Sequence, residues 1–260
     1  MTMPSETQSL DIVTVPCLSD NYAYLVNGPD GVALIDAPEA GPIVDALESR
    51  GWSLGVIMLT HHHHDHTGAV AELREKYDCP VMGPRAEEAK LPPLSMALDP
   101  GFSGGSGAGH CDVIAVPGHT LGHIAFHYPK AGAVFTADSL MALGCGRIFE
   151  GTPDMMWESL SKLAALPPET MVYSGHEYTK ANAAFALTIE PDNPRLISRV
   201  TAVDAARADG RPTAQVPLSE ELHTNPFLRA GVPGVKRSLG METATDAEVF
   251  AEIRGRKDRF

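Results

Sequence analysis

The sequence predicts an α/β layered domain followed by a smaller helical domain. Between residues 12 and 174, short apolar runs alternate with segments whose apolar residues recur at helical spacing. This is the pattern of strands and helices packed in layers. From about residue 175 onward helical patterns continue and no strand is evident. We therefore predict an α/β domain at residues 1–174 and a helical domain at residues 175–260.

Four short apolar runs near the start of the chain predict strands, because turn-forming residues bound them. They span residues 12–16, 23–27, 32–36 and 56–60, and GPDG forms the turn between the second and the third. Apolar residues at helical spacing predict helices at 41–49 and 68–76. Strand and helix therefore alternate in this part of the chain.

The later part of the chain carries the same two patterns, separated by loops. Further predicted strands are 80–82, 113–117, 124–128, 133–137 and 171–174, and the glycine-rich stretch 102–110 is a loop. Predicted helices are 179–190, 194–209 and 246–254, with a proline-containing connector at 211–221.

Composition narrows the class of partner. The chain carries 33 acidic and 20 basic residues, a formal net charge of −13, which argues against nucleic acid or an anionic membrane as a partner. No apolar run reaches the roughly 18 residues of a membrane span, the start lacks a secretion signal, and four cysteines form no CxxC pair. We expect a cytoplasmic monomer with reduced thiols.

The tail IRGRKDRF at residues 253–260 departs locally from the acidic balance. It has four basic residues and one acidic residue, so it can bind a small anion, although a solvated charged terminus is the alternative.

A histidine-rich run, THHHHDHTG at residues 60–68, is the strongest chemical signal. It follows a predicted strand and precedes a predicted helix, so it occupies a turn at the carboxyl edge of the sheet rather than being a purification tag. In an extended segment His61 and His63 lie on one side. Asp65 and His66 turn toward the same hollow from the helix start. Imidazole and carboxylate groups together suit zinc, iron or manganese.

Three later polar residues follow apolar strands in the same way. They are His119 after VIAVPG, Asp138 after VFTA and His176 after MVYSG. A short anionic side chain such as Asp138 can bridge two cations and offset their repulsion. His123 in the same GHTLGH segment is a residue that could orient a ligand. The sequence therefore predicts two neighbouring metal sites.

The motifs THHHHDHTG, PGHTLGH, TADS and GHEYT, in this order, resemble those of the metallo-β-lactamase superfamily and, within it, the glyoxalase II family. The resemblance extends to SDNYAYLV, CGRIFEG, NPFLR and RGRKD, so it covers nearly the whole chain. It implies an αββα sandwich with a smaller C-terminal helical domain.

The resemblance also implies a ligand set for two divalent metal ions per chain, zinc with iron or manganese as alternatives. One ion is expected on His61, His63 and His119, the other on Asp65, His66 and His176, with Asp138 between them. A bridging hydroxide is the expected nucleophile. Asp138 is expected to be catalytic through bridging, and Asp65 through orienting the hydroxide, or else as a ligand only.

The substrate that the resemblance implies is an S-(2-hydroxyacyl)glutathione, with S-D-lactoylglutathione of methylglyoxal detoxification as the first choice. The expected substrate-binding residues are Arg147, Phe149, Tyr178, Arg254 and Lys257. Phe149 stands where relatives often have tyrosine, which removes a hydroxyl contact. Tyr178 could instead be a packing residue, and Arg254 could pair with an acidic neighbour, Glu252 or Asp258, at the surface.

Three other functions fit part of the pattern. A glutathione persulfide dioxygenase with mononuclear iron shares the HxHxDH signature, but the long helical C-terminal region and the RxxK pair favour glyoxalase II. A lactonase or β-lactamase-like hydrolase would use the same metals, and Arg147, Arg254 and Lys257 speak against it. A non-catalytic metal-binding protein would need no open metal position.

Overall fold

The computed structural model describes residues 9–260 of the chain. Residues 1–8, which entered the expectation that a secretion signal is lacking, lie outside this part. By its internal contacts the chain divides into two compact units, residues 1–114 with 126–134, and residues 115–125 with 135–260. This division does not test the domain boundary expected after residue 174, which stays a prediction.

The first sheet lies in the first unit and mixes antiparallel and parallel strands. Its strands, in spatial order, are β1 (Asp11–Cys17), β2 (Asn21–Gly28), β3 (Gly31–Ile35), β4 (Leu54–Met58), β5 (Val81–Pro84) and β6 (Met96–Leu98). The pairs among β1, β2 and β3 are antiparallel, and those from β3 to β6 are parallel. Helix α1 (Ala40–Glu48) connects β3 to β4, and α2 (His64–Thr67) and α3 (Val70–Tyr77) connect β4 to β5. Parallel neighbours need such helical crossovers.

The core of the first unit lies where α1 and α3 cover this sheet. Ile43 and Leu47 of α1 and Leu73 of α3 are fully buried in one cluster with Leu34 and Ile57 of the strands. The apolar stripe of each helix is therefore its sheet-facing side, as the helical spacing predicted.

The second sheet and the later helices follow in the chain. The remaining strands are β7 (Ser103–Gly104), β8 (Cys111–Ala115), β9 (Ile124–Tyr128), β10 (Ala133–Ala137), β11 (Leu140–Met141), β12 (Gly144–Cys145), β13 (Met171–Ser174) and β14 (Gln215–Pro217). The sheet order is β14-β13-β10-β9-β8-β7, and β11 and β12 form a separate hairpin. The helices are α4 (Pro153–Ala164), α5 (Thr179–Ile189), α6 (Pro194–Ala208), α7 (Leu218–Thr224), α8 (Pro233–Leu239) and α9 (Asp246–Arg259). Among the described residues no helix is long and apolar enough to span a bilayer.

The expectation of no strand after residue 176 is wrong. Strand β14 lies inside the predicted connector and pairs antiparallel with β13, with Tyr173 opposite Gln215 and Met171 opposite Pro217. Three residues that include a proline carry no readable alternation, and proline is tolerated here because β14 is at the edge of its sheet. The glycine-rich loop likewise contains the two-residue strand β7.

Three helices, α4, α7 and α8, were not predicted, although α4 had a readable start signal. The side chain of Thr152 accepts a hydrogen bond from the amide of Met155, and Pro153 occupies the first turn. A capping threonine followed by proline is typical of a helix N terminus. Helices α7 and α8 have seven residues each, too short for a clear periodic signal.

A buried charged network holds the β11–β12 hairpin in the second unit. Glu221 on α7 is fully buried, pairs with the guanidinium group of Arg199 on α6 and accepts the amide of Leu143 at 3.0 Å. Leu143 has φ +56°, a conformation that favours glycine. Asn225 donates to Glu221 at 2.8 Å and to the carbonyl of Gly144 at 2.9 Å. The hairpin conformation therefore depends on a carboxylate 78 residues away in sequence.

Candidate metal centre

In the first unit, the histidine run brings several metal-binding side chains together. The rings of His61 and His63 have centroids 4.8 Å apart, and those of His61 and His66 are 4.3 Å apart. His61 and His66 are fully buried. His62 is directed to a different partner, with Nδ1 2.7 Å from Glu87 Oε2. His63, which precedes α2, has an extended backbone, whereas the chain bends at Thr60 and His61.

Asp36 orients two side chains of this group and was not among the predicted site residues. Its carboxylate accepts hydrogen bonds from the amide and the hydroxyl of Thr60, both at 2.8 Å, and from His66 Nδ1 at 2.8 Å. His66 therefore carries its proton on Nδ1 and keeps the Nε2 lone pair for a ligand bond. Because the Thr60 hydroxyl donates to Asp36, it accepts from His61 Nδ1 at 3.0 Å, and the Nε2 atom of His61 then accepts from His63 Nδ1 at 3.2 Å.

The signal that could have identified Asp36 was present in the sequence. Asp36 directly follows the apolar strand β3, just as Asp138 follows β10. The structure adds that the φ angle of Asp36 is +56°. Asp65 has a comparable partner, since Asn21 Nδ2 donates to its Oδ2 at 3.0 Å. Orienting groups of this kind fix which nitrogen or oxygen faces a metal.

We expect Asp36→Asn to lower metal affinity by about 10- to 100-fold, the usual effect of losing a group that orients a ligand. The amide keeps the shape but loses the negative charge that holds His66 Nδ1–H. Zinc affinity measured by competition with a chromophoric chelator checks this. Asp45→Asn, an exposed position on α1, is the matched control. Equal zinc affinities for the two variants would contradict the orienting role.

In the second unit, His119, Asp138 and His176 form a buried triad. His119 Nε2 lies 3.3 Å from Asp138 Oδ2, and His176 Nε2 lies 3.3 Å from Asp138 Oδ1. Asp138 directly follows β10, and His176 follows β13 by one glycine. Gly118 before His119 has φ +150°, and a Cβ there would lie 2.8 Å from Cβ of Met156. Only glycine allows that turn toward the triad.

The protonation of His119 shows that the triad fits a cation. His119 Nδ1 lies 2.7 Å from the carbonyl oxygen of Arg147, and a carbonyl only accepts, so Nδ1 carries the proton. The Nε2 lone pair of the neutral ring then faces a carboxylate oxygen. Two buried acceptors in contact are unfavourable unless a cation, either a second proton on the ring or a metal ion, lies with them. Two imidazoles and a carboxylate are ligands that divalent zinc, iron and manganese accept.

His123 positions the main chain next to this triad. Its Nε2 accepts the amide proton of Asp138 at 3.3 Å. Ala137, just before Asp138, has φ +40°, which is rare for a residue with a side chain. His123 was interpreted as either an orienting or a structural residue, and this contact is made to the main chain of Asp138 and not to its carboxylate.

Two exposed aromatic rings flank the triad. The ring of Phe149 lies 5.2 Å from that of His119, and the ring of Tyr178 stacks on His176 at 4.7 Å. Phe149 is 60% and Tyr178 41% exposed. The guanidinium group of Arg147 lies 6.0 Å from the centre of the Phe149 ring. Exposed aromatic rings beside a buried polar group are available to a ligand.

Two basic side chains of the last helix have contrasting surroundings. Arg254 is buried, donates to the carbonyl of Cys145 at 3.0 Å and to Asp258 at 2.9 Å, and lies over the ring of Phe227. Its pairing with Asp258 thus involves a buried guanidinium group and not a surface one. Lys257 donates to the carbonyl of Ala181 at 3.1 Å. Burial, and then the positive charge of Arg254, lower the pKa of Lys257 to about 8.

The cysteines are poor candidates for a nucleophile. All four are buried and unpaired in disulfides. Burial raises the pKa of Cys111 to about 12 and that of Cys145 to about 11. The reactive thiolate is therefore scarce near neutral pH, in line with the expected packing role.

Comparison with known proteins covers nearly the whole chain. Residues 18–176 match the model of the metallo-beta-lactamase superfamily, and residues 177–260 match that of the hydroxyacylglutathione hydrolase C-terminus. A hydroxyacylglutathione hydrolase from Ruegeria pomeroyi is 59% identical over 253 residues, which is 96% of this chain and 99% of that protein.

Two solved structures are similar in fold. A B3 metallo-beta-lactamase, BLEG-1, has a TM-score of 0.65 and 21% identity, covering 84% of this chain and 99% of its own. TTHA1623 in a di-iron-bound form has a TM-score of 0.63 and 28% identity, covering 84% of this chain and 100% of its own. The predicted fold class is confirmed as a metallo-β-lactamase fold with a C-terminal helical domain. The chain belongs to the hydroxyacylglutathione hydrolase family, also called glyoxalase II.

Proposed function

We propose that the protein hydrolyses S-(2-hydroxyacyl)glutathione thioesters to glutathione and a 2-hydroxy acid. The observation that carries this proposal is the 59% identity, over nearly the full length of both chains, to a protein named hydroxyacylglutathione hydrolase. The match to the C-terminal family model over residues 177–260 supports the glutathione part of the substrate. With S-D-lactoylglutathione as substrate, the protein would act in methylglyoxal detoxification.

The proposal includes two divalent metal ions per chain, zinc with iron or manganese as alternatives. Their proposed ligands are His61, His63 and His119 for one ion and Asp65, His66 and His176 for the other, with Asp138 shared. The buried acceptors of the triad and the orienting role of Asp36 support this ligand set. A relative in fold that is named as di-iron-bound agrees with it. When bound, such ions lower the pKa of a coordinated water and polarise a carbonyl oxygen.

The chain's own groups prepare the ligands for this chemistry. The carbonyl of Arg147 and the carboxylate of Asp36 hold the Nδ1 protons of His119 and His66, so that the Nε2 atom of each ring carries the lone pair that would bind a metal ion. Asn21 restrains the Asp65 carboxylate, which we propose orients the attacking water. The departing thiolate is a good leaving group, so no strong general acid is needed.

The substrate contacts we propose come from cations and exposed rings of the second unit. Glutathione carries two carboxylates, which Arg147, Arg254 and Lys257 can bind by charge-assisted hydrogen bonds. Phe149 and Tyr178 offer exposed rings, and Phe149 lacks the hydroxyl donor of a tyrosine. We further propose that the protein is a monomer and that it is cytoplasmic. The four free thiols suit a reducing compartment.

The pKa of Lys257 predicts how substrate affinity depends on pH. Because this pKa is lowered to about 8, Lys257 is charged below that pH and neutral above it. If its ammonium group binds a glutathione carboxylate, KM should rise as the pH passes upward through about 8, while kcat stays constant. Steady-state rates from pH 6.5 to 9.5 measure this. Lys257→Arg, which stays charged, should abolish the rise, and an unchanged profile in that variant would exclude Lys257 as its source.

The experiment that tests the proposed function is hydrolysis of S-D-lactoylglutathione by the purified protein, with metal content and oxygen uptake measured on the same sample. Rapid thioester loss with about two metals per chain is the expected result. One iron per chain and oxygen uptake with glutathione persulfide, without thioester loss, would instead establish a dioxygenase. Hydrolysis of neutral lactones alone would establish a lactonase.

A further inference from the structure

The C-terminal end of helix α9 carries a single acidic side chain, Asp258, among four basic ones. One of these, Arg256, already has another partner, since its Nε lies 2.7 Å from Glu252 Oε1 one turn earlier. Asp258 contacts two other arginines. It is therefore the acidic group that neutralises part of this basic cluster.

A single oxygen atom of Asp258 contacts two guanidinium groups. Its Oδ1 accepts from Arg254 Nη2 at 2.9 Å and lies 3.7 Å from Arg147 Nε. Arg254 belongs to α9, whereas Arg147 lies just after β12, so the carboxylate links two separate elements. The side chain of Asp258 is 41% exposed, and that of Arg254 only 7%. The carboxylate thus has access to solvent while the arginine beneath it does not.

The basic cluster has hydrogen-bond donors and positive charge that Asp258 does not use. Arg254 Nε is buried and has no hydrogen-bond partner among the described residues. Lys257 donates to a carbonyl oxygen and has no carboxylate partner within ion-pair distance in residues 9–260. A guanidinium group binds a carboxylate best with two parallel hydrogen bonds. The arrangement therefore fits one further carboxylate.

We propose that the carboxylate of Asp258 occupies, between Arg147 and Arg254, the place of a substrate carboxylate and is displaced when an anionic substrate binds. The inference rests on the proposed function, in which the substrate is a glutathione thioester. The Asp258 carboxylate is itself 41% exposed, so it can rotate into solvent while an incoming carboxylate takes over the pairing with the buried Arg254. The internal carboxylate keeps the buried arginine paired when no substrate is bound, and it weakens the binding of any competing anion.

The test compares Asp258→Asn with wild type and with Glu252→Gln in the metal-loaded protein. The control removes one negative charge from the same helix but leaves the contacts of Asp258 with Arg147 and Arg254 intact. For Asp258→Asn we expect KM for S-D-lactoylglutathione to fall about two- to fivefold, because the carboxylate that competes with the substrate is partly hydrated and its loss changes binding only modestly. We expect kcat to be unchanged, because Asp258 does not touch the triad. The gain should shrink at high salt.

A binding measurement separates this inference from the proposed function. Calorimetric titration with S-methylglutathione, which is not hydrolysed, should show tighter binding to Asp258→Asn than to wild type, and no gain with the dimethyl ester of the same thioether. If wild type hydrolyses the thioester while the variant binds S-methylglutathione equally or more weakly, Asp258 instead orients the arginines and this inference alone fails. If wild type neither binds the thioether nor hydrolyses the thioester, both the proposed function and this inference fail.

Discussion

Replacing Asp138 with alanine is expected to abolish metal binding and thioester hydrolysis together. The carboxylate lies 3.3 Å from the ring nitrogens of both His119 and His176, one oxygen toward each. Without it, two buried imidazoles remain with no anion to balance a divalent cation. Loss of an outer group that merely orients a ligand costs about 10- to 100-fold in affinity or activity. Loss of a shared ligand should therefore lower kcat by at least about 100-fold.

The measurement is kcat and metal content on the same preparation, with Asp138→Asn as the variant of unchanged shape. Asp154→Asn is the control, because it removes one exposed carboxylate from the first turn of α4 in the same unit. Thermal unfolding of all three proteins without metal shows whether folding is intact. Full turnover and undiminished metal content in a folded Asp138→Ala protein would remove Asp138 from the metal centre.

The largest expected effect on stability comes from Glu221→Ala. The change leaves the guanidinium group of Arg199 buried without its carboxylate, and it removes the acceptor of the Leu143 amide and of Asn225. Removing one partner of a buried ion pair typically costs about 3–5 kcal/mol. The free energy of unfolding, measured by urea titration at equilibrium, should fall by about that amount.

Two further variants identify the physical cause of this loss. Glu220→Ala, on the same helix, removes a partly exposed carboxylate that makes no ion pair among the described residues, and it should cost less than about 1 kcal/mol. Replacing both Arg199 and Glu221 by apolar residues should recover much of the loss, because no charge then stays buried alone. A cost below about 1 kcal/mol for Glu221→Ala would mean that the pair does not act as a buried ion pair.

Replacing Glu221 should also lower activity, because the buried charged network supports the β11–β12 hairpin, which lies between Asp138 and Arg147. The amide of Asn182 on α5 also donates to the carbonyl of Ala142 at 3.0 Å. Helix α5, through Asn182, and helix α7 with the residue that follows it, through Glu221 and Asn225, therefore hold the main chain of residues 141–144. Such support determines how accurately the side chains at either end of the segment are placed.

Local signals in the sequence were enough to predict most elements and the candidate metal ligands. The rings of His61 and His63 lie close together, as predicted, although the chain bends at His61, and His119, Asp138 and His176 each follow a strand end. These relations span a few residues, so they can be read without knowing the fold. The same reasoning would have identified Asp36, and it failed for β14 because three residues are too few to show a period.

The sequence by itself determined the alternation of strands and helices, the types of the metal-binding side chains and, through its motifs, the family. Only the tertiary structure decided that Asp36 orients His66, that β14 pairs with β13, and that Arg254 is buried against Cys145, 109 residues away. The physical reason is the distance along the chain over which each interaction acts. Periodicity and capping act within a few residues, whereas burial and the choice of a hydrogen-bond partner depend on groups that the folded chain brings together from distant positions.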